Sequence, residues 1–105
     1  MKRITYPQAC VLQALSKGKA YGFDIMQATG LPSGTVYPAL RRFEHAGLVS
    51  SKWETPKEAI GEHRPRRRNY ELTRSGREVL ALVSDRYRLH LEIFGRGSST
   101  STSKA

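Results

Sequence analysis

The side chains of this sequence that could do chemistry are mainly arginines, and they stand in two groups. Arg41 and Arg42 follow the segment SGTVYPAL, and a second group lies further along the chain. The second group, with one lysine ahead of it, consists of Lys52, Arg64, Arg66, Arg67 and Arg68. Each of these cations can neutralise a phosphate, and an arginine can also offer two parallel donors to a guanine. A merely solvated run of charge is the alternative, but it leaves the repulsion between neighbouring arginines without compensation.

Residues that could catalyse a reaction or bind a metal are few and far apart. The three histidines, His45, His63 and His90, fall on different predicted elements, and Cys10 is the one cysteine. This set contains no pair at metal-ligand spacing, and no GxSxG, phosphate-binding or dinucleotide-binding motif occurs. We therefore predict neither an enzyme, nor a bound metal, nor a cofactor.

The composition indicates the class of partner. The chain has 105 residues, a net charge of +9 and a pI of about 10.2, which predicts one small domain that attracts nucleic acid or an acidic membrane. It lacks an apolar run of about 18 residues that could span a bilayer, and its arginines are not gathered on one helix face, which argues against the membrane. The single cysteine and a start without a signal-like apolar stretch predict a cytoplasmic protein.

Three short helices should position the first arginine group. The first begins after Tyr6 and ends before Gly18, and the second runs from about Gly22 to Ala28. The third begins with Ser33 as its N-cap residue. The short glycine-containing turn between the second and third helices is typical of a helix-turn-helix.

The third helix divides into a buried and an outward face. At about 100° per residue, Val36, Leu40 and Phe43 fall together and predict the buried face. The opposite side carries residues that a core does not need, namely Gly34, Tyr37, Pro38, Arg41, Arg42 and His45. This partition predicts that the helix presents two cations and a phenol to a ligand.

If that ligand is duplex DNA, the N-terminal half of the third helix should enter the major groove. Thr35 could offer its hydroxyl or methyl group to a base, and Arg41 or Arg42 could hold either a guanine or a phosphate. Tyr37 is better suited to a backbone phosphate. The proline within the helix would loosen the first turn and bring its backbone near a phosphate, or it is simply tolerated close to the helix start.

Two predicted strands enclose the second arginine group. Val49 to Glu54 and Arg68 to Leu72 read as strands, and the segment between them, Thr55 to Arg67, is predicted as a loop. Thr73 should cap the last helix, in which Gly76 permits a close backbone approach. The predicted fold class is mainly α with a two-stranded β wing, that is, a winged helix-turn-helix with one C-terminal helix. The wing arginines could neutralise phosphates or enter a minor groove.

The last helix is more apolar than one domain of this size requires. Apolar residues cover more than half of its circumference, and a surplus face consists of Val83, Tyr87, Leu91 and Phe94. We predict a homodimer paired through this face; the alternative is a helix buried on both sides within one chain. The expected organisation is a DNA-binding domain over 1–72, a dimerisation helix over 73–94 and a flexible tail over 95–105.

Three segments and the apolar helix after them match a known pattern, namely YGFDIMQATGLPSGTVYPALRRFEHAGLV, WE and RPRRRNYELTRSGR. Together they resemble the PadR family of bacterial winged-helix transcriptional regulators, over nearly everything from Ile4 to Phe94. The most specific parts are GTVYPAL in the third helix and YELT with Gly76 after the wing. With one C-terminal helix, the chain is similar to the shorter PadR subgroup.

The resemblance implies a homodimer whose last helices pair and which binds a pseudo-palindromic operator, usually repressing a nearby transporter or detoxification gene. It also implies that Tyr37 and the segment Ser33 to Thr35 touch DNA backbone and bases, and that the wing reaches the flanking groove. Family members often sense small aromatic or drug-like effectors near the dimer interface. The last helix here has no tryptophan to stack on such a ligand, and the identity of any small-molecule effector stays open.

Two other functions would use the same positive surface. One is a non-specific DNA- or RNA-binding architectural protein, and the other is an adaptor that binds proteins through its winged helix. The DNA-docking geometry of the third helix favours a sequence-specific regulator over both.

Overall fold

The structure, a computed structural model, describes residues 3–61 and 65–87. Along the chain lie α1 (Tyr6–Ser16), α2 (Gly22–Thr29), α3 (Ser33–His45), β1 (Val49–Trp53), α4 (Pro56–Gly61) and β2 (Arg68–Leu72). A last helix, α5, begins at residue 74 and is described as far as residue 87. The predicted fold class, mainly α with a two-stranded wing, is confirmed.

Helix α1 begins with a reciprocal cap. The hydroxyl of Thr5 accepts a hydrogen bond from the backbone N–H of Gln8 at 3.3 Å, and the Gln8 side chain accepts one from the N–H of Thr5 at 3.0 Å. Two first-turn donors are satisfied in this way. The helix ends before Gly18, whose φ of +91° places it in the left-handed region that glycine favours.

The helix-turn-helix is formed by α2, a short turn and α3. Gly30 ends α2 with a φ of +76°, and its N–H donates to the Met26 carbonyl at 2.8 Å. Pro32 is the N-cap residue of α3, so the prediction that Ser33 takes this position was wrong by one residue. Pro32 lies in an extended conformation, and its carbonyl accepts the N–H groups of Thr35 and Val36 at 2.9 and 3.0 Å.

The core lies between the three N-terminal helices and the inner face of the wing. Its largest fully buried side chains are Phe43, Leu12, Ile25, Leu40, Val11 and Val36. Three of these belong to the predicted buried face of α3, which is confirmed. Because that face is held in the core, the opposite side of α3 must point outward.

The wing is an antiparallel pair of strands in which Ser51 faces Tyr70 and Trp53 faces Arg68. Side chains of directly opposed residues lie on the same side of a sheet. The N–H of Tyr70 also donates to the carbonyl of Ala20 at 2.7 Å, which joins the segment before α2 to the wing.

Part of the segment between the strands is helical. The prediction of a loop over Thr55 to Arg67 was wrong for Pro56–Gly61, which form α4. Pro56 stands at the first helical position, where its missing N–H removes no helical hydrogen bond. The next residues, Lys57, Glu58 and Ala59, have favourable helix propensities.

The start of α5 is attached to the end of α3. Thr73 accepts a hydrogen bond from the N–H of Gly76 at 3.0 Å and donates its hydroxyl to the Gly47 carbonyl at 2.7 Å. A Cβ atom at position 76 would collide with the backbone carbonyl oxygen of Leu48. The predicted cap and the predicted close approach are both confirmed.

Helix α5 packs against α1, which covers part of its apolar surface. Val83 is buried, and the hydroxyl of Tyr87 donates to the Ile4 carbonyl at 2.8 Å while its ring meets that of Tyr6 edge-on at 5.6 Å. The structure therefore places Val83 and Tyr87 against their own chain, where the sequence analysis treated them as surplus. Leu82, which the sequence analysis did not single out, is 74% exposed.

Candidate nucleic-acid interface

The outward face of α3 carries cations that have no acidic partner within the part of the chain that the structure describes. Gly34, Tyr37, Arg41 and Arg42 are exposed, as predicted. Among the residues that the structure describes, neither arginine forms an ion pair. A guanidinium without a carboxylate partner keeps its full charge and its donors for a ligand.

Tyr37 is positioned by α2. Its ring lies against the backbone of Gly22, which is buried at the start of that helix, and a Cβ atom at position 22 would overlap the ring. Only a glycine leaves this space, so the first turn of α2 sets where the phenol is presented. The sequence analysis missed this contact, because a glycine at a helix start resembles an ordinary turn residue.

The N-terminal end of α3 is open to solvent. Ser33 and Gly34 are exposed, and Thr35 is half-buried. The first N–H groups of a helix have no acceptor within it and form its positive end, which favours an anion. Pro38, half-buried in the second turn, donates no hydrogen bond to the Gly34 carbonyl four residues earlier.

A buried carboxylate organises the outer end of the wing. Glu54 is only 6% exposed. It accepts the backbone N–H of Arg67 at 2.9 Å, the Arg67 guanidinium at 3.3 Å and the Tyr21 hydroxyl at 3.4 Å. Glu54, at the outer end of β1, therefore connects Arg67, the residue before β2, to Tyr21, the residue before α2.

Two of the predicted phosphate-binding arginines take part in this arrangement. The Arg67 guanidinium lies 3.7 Å from the centroid of the Tyr21 ring, and the Arg66 Nε donates to the Glu54 carbonyl oxygen at 2.8 Å. The sequence analysis missed Glu54 as their partner. A carboxylate at the end of one strand, opposite an arginine run at the start of the next, could have indicated it.

A second polar cluster connects α3 to the wing. Ser51 donates to the Glu44 carboxylate at 2.6 Å, and Arg68 donates to the Ser51 hydroxyl at 2.9 Å and to Glu44 at 3.3 Å. The structure thus places Arg68, predicted to bind a phosphate, beside a carboxylate of the helix. This cluster sets the angle between the helix and the two strands.

The outer part of the wing presents an aromatic ring and a cation. Trp53 is 54% exposed, and the Arg68 guanidinium lies 5.6 Å from its ring centroid. Lys52 is exposed and has no ion pair among the described residues. Arg64, also predicted to bind a phosphate, lies outside the described residues.

Tyr70 belongs to β2, and its side chain is buried on the side of the wing that faces α3. Burial raises the pKa of its hydroxyl, Arg68 and Arg41 oppose that shift, and Glu44 and Tyr37 add to it. The phenol is therefore neutral at physiological pH. Side chains from α3 and from β2 therefore lie close to the same buried group.

Two further findings concern the described residues only. They contain no group of three or more side chains that could hold a metal ion. None of their helices is long and apolar enough to cross a membrane.

A helix-turn-helix with a basic outward face, followed by a two-stranded wing, defines the class of winged helix-turn-helix proteins. Within that class, the profile of the PadR-like transcriptional regulators matches residues 11–82. The chain belongs to this family, as its sequence segments predicted.

Solved structures agree with this assignment. The chain is 26% identical to a PadR family transcription regulator from Clostridium difficile R20291, with a TM-score of 0.68 over 88% of this chain and 97% of that one. It is also 26% identical to a PadR-like transcription factor from Bacteroides fragilis, with a TM-score of 0.64 over 85% and 86% of the two chains. A PadR-like regulator from Bacillus cereus, 20% identical over 85% and 87% with a TM-score of 0.62, shares the fold. No curated protein matches the chain significantly.

Proposed function

We propose that this protein is a sequence-specific transcriptional repressor that binds a pseudo-palindromic DNA operator as a homodimer. The observation that carries the proposal is the outward face of α3, where Arg41 and Arg42 stand exposed without an ion pair among the described residues. Membership of a transcriptional regulator family supports it. The proposal places the protein in the cytoplasm, without a cofactor or a membrane partner.

In this proposal α3 lies in the major groove. Thr35 and one of the two arginines contact base edges, and Tyr37 binds a phosphate together with the open first turn, 33–35. Lys52 and Arg64 extend the phosphate contacts along the wing. Arg66, Arg67 and Arg68 are held by Glu54 and Glu44, so we assign them chiefly to holding the wing in place.

The dimer is proposed to form through the last helix. Helix α5 has apolar residues on two sides, and its own chain covers the side of Val83 and Tyr87 but leaves Leu82 exposed. Leu91 and Phe94 lie outside the described residues and remain part of the predicted interface; at about 100° per residue they are expected on the side of Val83 and Tyr87, beyond the part that the chain itself covers, and not on the side of Leu82. A second copy would cover this surface and place two copies of α3 about one helical turn of DNA apart.

The proposal is tested by selecting DNA fragments with the purified protein and by competition between the selected duplex and a random duplex. We expect a palindromic consensus and at least about a thousandfold preference for it. Equal affinity for both duplexes would favour a non-specific architectural protein instead. A reporter gene placed behind the selected site should fall in expression when the protein is present, and a rise would overturn repression.

The contribution of α3 is tested with Arg41→Ala combined with Arg42→Ala. We expect the double variant to lose most of its affinity, and the salt dependence of binding, steeper than about −5 in the wild type, to become shallower because fewer phosphates are neutralised. The matched control removes two exposed cations that lie outside α3, the wing and α5, namely Lys17 and Lys19. The idea fails if both double variants lose affinity equally.

A further inference from the structure

Trp53 stands at the outer end of a continuous strip that begins on α3. Glu44 of α3 contacts Ser51 and Arg68, and Arg68 lies over the Trp53 ring. Trp53 and Arg68 are directly opposed in the wing, so both project from the sheet face that meets α3. Since a strand rises about 3.3 Å per residue, Trp53 lies about 7 Å beyond the contact with the helix.

The ring is only partly covered by its own chain. Its 54% exposure leaves an apolar surface in water, and the 5.6 Å distance to Arg68 lies near the outer end of the cation–π range of about 6 Å. Arg68 is already held by Ser51 and Glu44, so it does not need the ring to fix its position. The exposed face of Trp53 is therefore available to a ligand.

The surroundings of the ring indicate what that ligand is. Arg68 lies beside the ring on the same sheet face, whereas Lys52, one residue before Trp53, projects from the opposite face of the strand. Arg41, one turn before Glu44 on α3, lies at the other end of the strip, on a chain with a net charge of +9. An exposed aromatic ring beside the Arg68 guanidinium, on a strip that runs to the basic face of α3, complements the deoxyribose-phosphate backbone, in which apolar sugar rings alternate with anionic phosphates.

We propose that Trp53 contacts the deoxyribose-phosphate backbone of the duplex that α3 binds. The indole N–H donates to a phosphate oxygen, and the ring packs on the adjacent sugar. This contact positions the wing on the flank of the site and adds affinity without reading a base. The inference rests on the DNA binding proposed above.

The first test uses Trp53 as a probe, because it is the one tryptophan of the chain. Binding is followed independently by the anisotropy of a dye-labelled selected duplex. We expect bound duplex to shift Trp53 emission and to reduce its quenching by acrylamide about twofold or more. If the anisotropy shows binding but the quenching is unchanged, the contact is absent while DNA binding stands. If the anisotropy shows no binding to any duplex, both this inference and the proposed function fail.

The second test separates a DNA contact from a purely structural role. Removing a neutral group leaves the number of neutralised phosphates unchanged, so Trp53→Ala should lower affinity about tenfold with the same slope of log affinity against log salt. Lys52→Gln should reduce the slope by about one for each bound copy. If Trp53→Ala reduces the slope by a similar amount, the ring only supports the wing and the inference is overturned.

A conservative variant distinguishes the loss of a DNA contact from the loss of the fold. Trp53→Phe keeps an apolar ring but lacks the N–H donor, so we expect a loss of about threefold, between the wild type and the alanine variant. Thermal melting of each variant without DNA reports whether the fold is kept. An affinity of Trp53→Phe and Trp53→Ala equal to that of the wild type would refute the contact.

Discussion

The presentation of Tyr37 shows how one outward side chain depends on a residue of another helix. Its ring rests on Gly22, and the helical partition of α3 identified the direction of the phenol but not this support. The contact joins the two helices of the helix-turn-helix at the end where α3 is proposed to approach DNA. A change at Gly22 should therefore act on a residue fifteen positions away.

Gly22→Ala should destabilise the fold and weaken DNA binding. The new Cβ atom overlaps the outer end of the Tyr37 ring, which is 36% exposed and can turn away, so the cost in free energy of unfolding should be at most about 1 kcal/mol. We expect a lower denaturation midpoint and an affinity reduced by about tenfold, because the ring must leave its place. Urea denaturation and a binding titration measure the two effects.

The control for this variant is Gly34→Ala, where an added Cβ atom meets nothing within 4 Å. It should leave the stability unchanged or raise it by less than about 1 kcal/mol. Adding Tyr37→Ala to Gly22→Ala should recover part of the lost stability, because it removes the overlapping ring. A wild-type DNA affinity of Gly22→Ala would contradict the idea that the contact positions the phenol.

Tyr6 makes stability depend on alkaline pH. Burial, together with its contact with Cys10, raises the pKa of Tyr6 from 10.0 to about 12. The unfolded chain thus ionises first, so the stabilisation is fully present below pH 10 and is lost as the pH rises towards 12. We expect the free energy of unfolding to fall over this range more steeply in the wild type than in Tyr6→Phe.

Urea denaturation between about pH 9 and about pH 12 gives this difference. Lysines titrate in the same window, and comparison with Tyr6→Phe removes their contribution because the variant keeps them all. Cys10→Ala removes the thiol that also raises the pKa of Tyr6, and with it a group whose own pKa is raised by burial, so its pH dependence should be shallower than that of the wild type. Parallel curves for wild type and Tyr6→Phe would show that the tyrosine is not responsible.

The wing is an element whose arginines serve two purposes. The sequence predicted DNA contacts for all of them, but the Glu54 carboxylate holds Arg67, the Glu54 backbone carbonyl holds Arg66, and the Glu44 carboxylate holds Arg68. These acidic partners come from the end of β1 and from α3. Such pairing reduces the repulsion within the arginine run and fixes the strands relative to both helices of the helix-turn-helix.

Glu54→Gln should loosen the wing. The variant keeps the size of the side chain but loses the charge that pairs with Arg67, whose side chain is 39% exposed. We expect a loss of about 1–3 kcal/mol in free energy of unfolding, at the lower end because water screens the pair. DNA affinity should fall as well, with loss of protection at the flanks of a footprint before its centre.

Glu71→Gln provides the matched control, since Glu71 lies on β2, is exposed and forms no ion pair among the described residues. It changes the net charge by the same amount. Its stability should stay within about 0.5 kcal/mol of the wild type. If both glutamine variants behave alike, net charge and not the buried carboxylate controls the wing.

The whole molecule is proposed to act as a dimer in which the last helices join two DNA-binding domains. One chain covers the Val83 side of α5 and leaves Leu82 exposed. A glutamate at an exposed position does not disturb the isolated chain, so loss of pairing there can be separated from loss of folding. A buried position such as Val83 does not offer this separation.

Leu82→Glu and Leu91→Glu test opposite sides of the last helix, and the substitution on the paired side should convert the dimer to monomers. Sedimentation should show half the mass, and operator affinity should fall by at least about a hundredfold, because each half-site is then bound separately. Phe23→Glu, a change at a 62% exposed position of α2, should remain dimeric. An unchanged mass for both leucine variants would contradict pairing through the last helix.

Local patterns were sufficient to predict much of this protein. The period of Val36, Leu40 and Phe43 identified the buried face of α3, and through it the outward direction of Arg41 and Arg42. Thr73 and Gly76 marked the start of the last helix, and the motifs around α3 indicated the PadR family. These signals lie within one element or one turn, where backbone geometry depends on neighbouring residues.

Contacts between residues far apart in sequence could be identified only from the tertiary structure. Glu54 with Arg67, Gly22 with Tyr37 and Tyr87 with Ile4 lie on different elements. Their meeting depends on strand register and helix packing, which no local period encodes. For this reason composition and periodicity predicted a basic surface that binds DNA, whereas only the packing determined which cations hold the wing and which remain free for a phosphate.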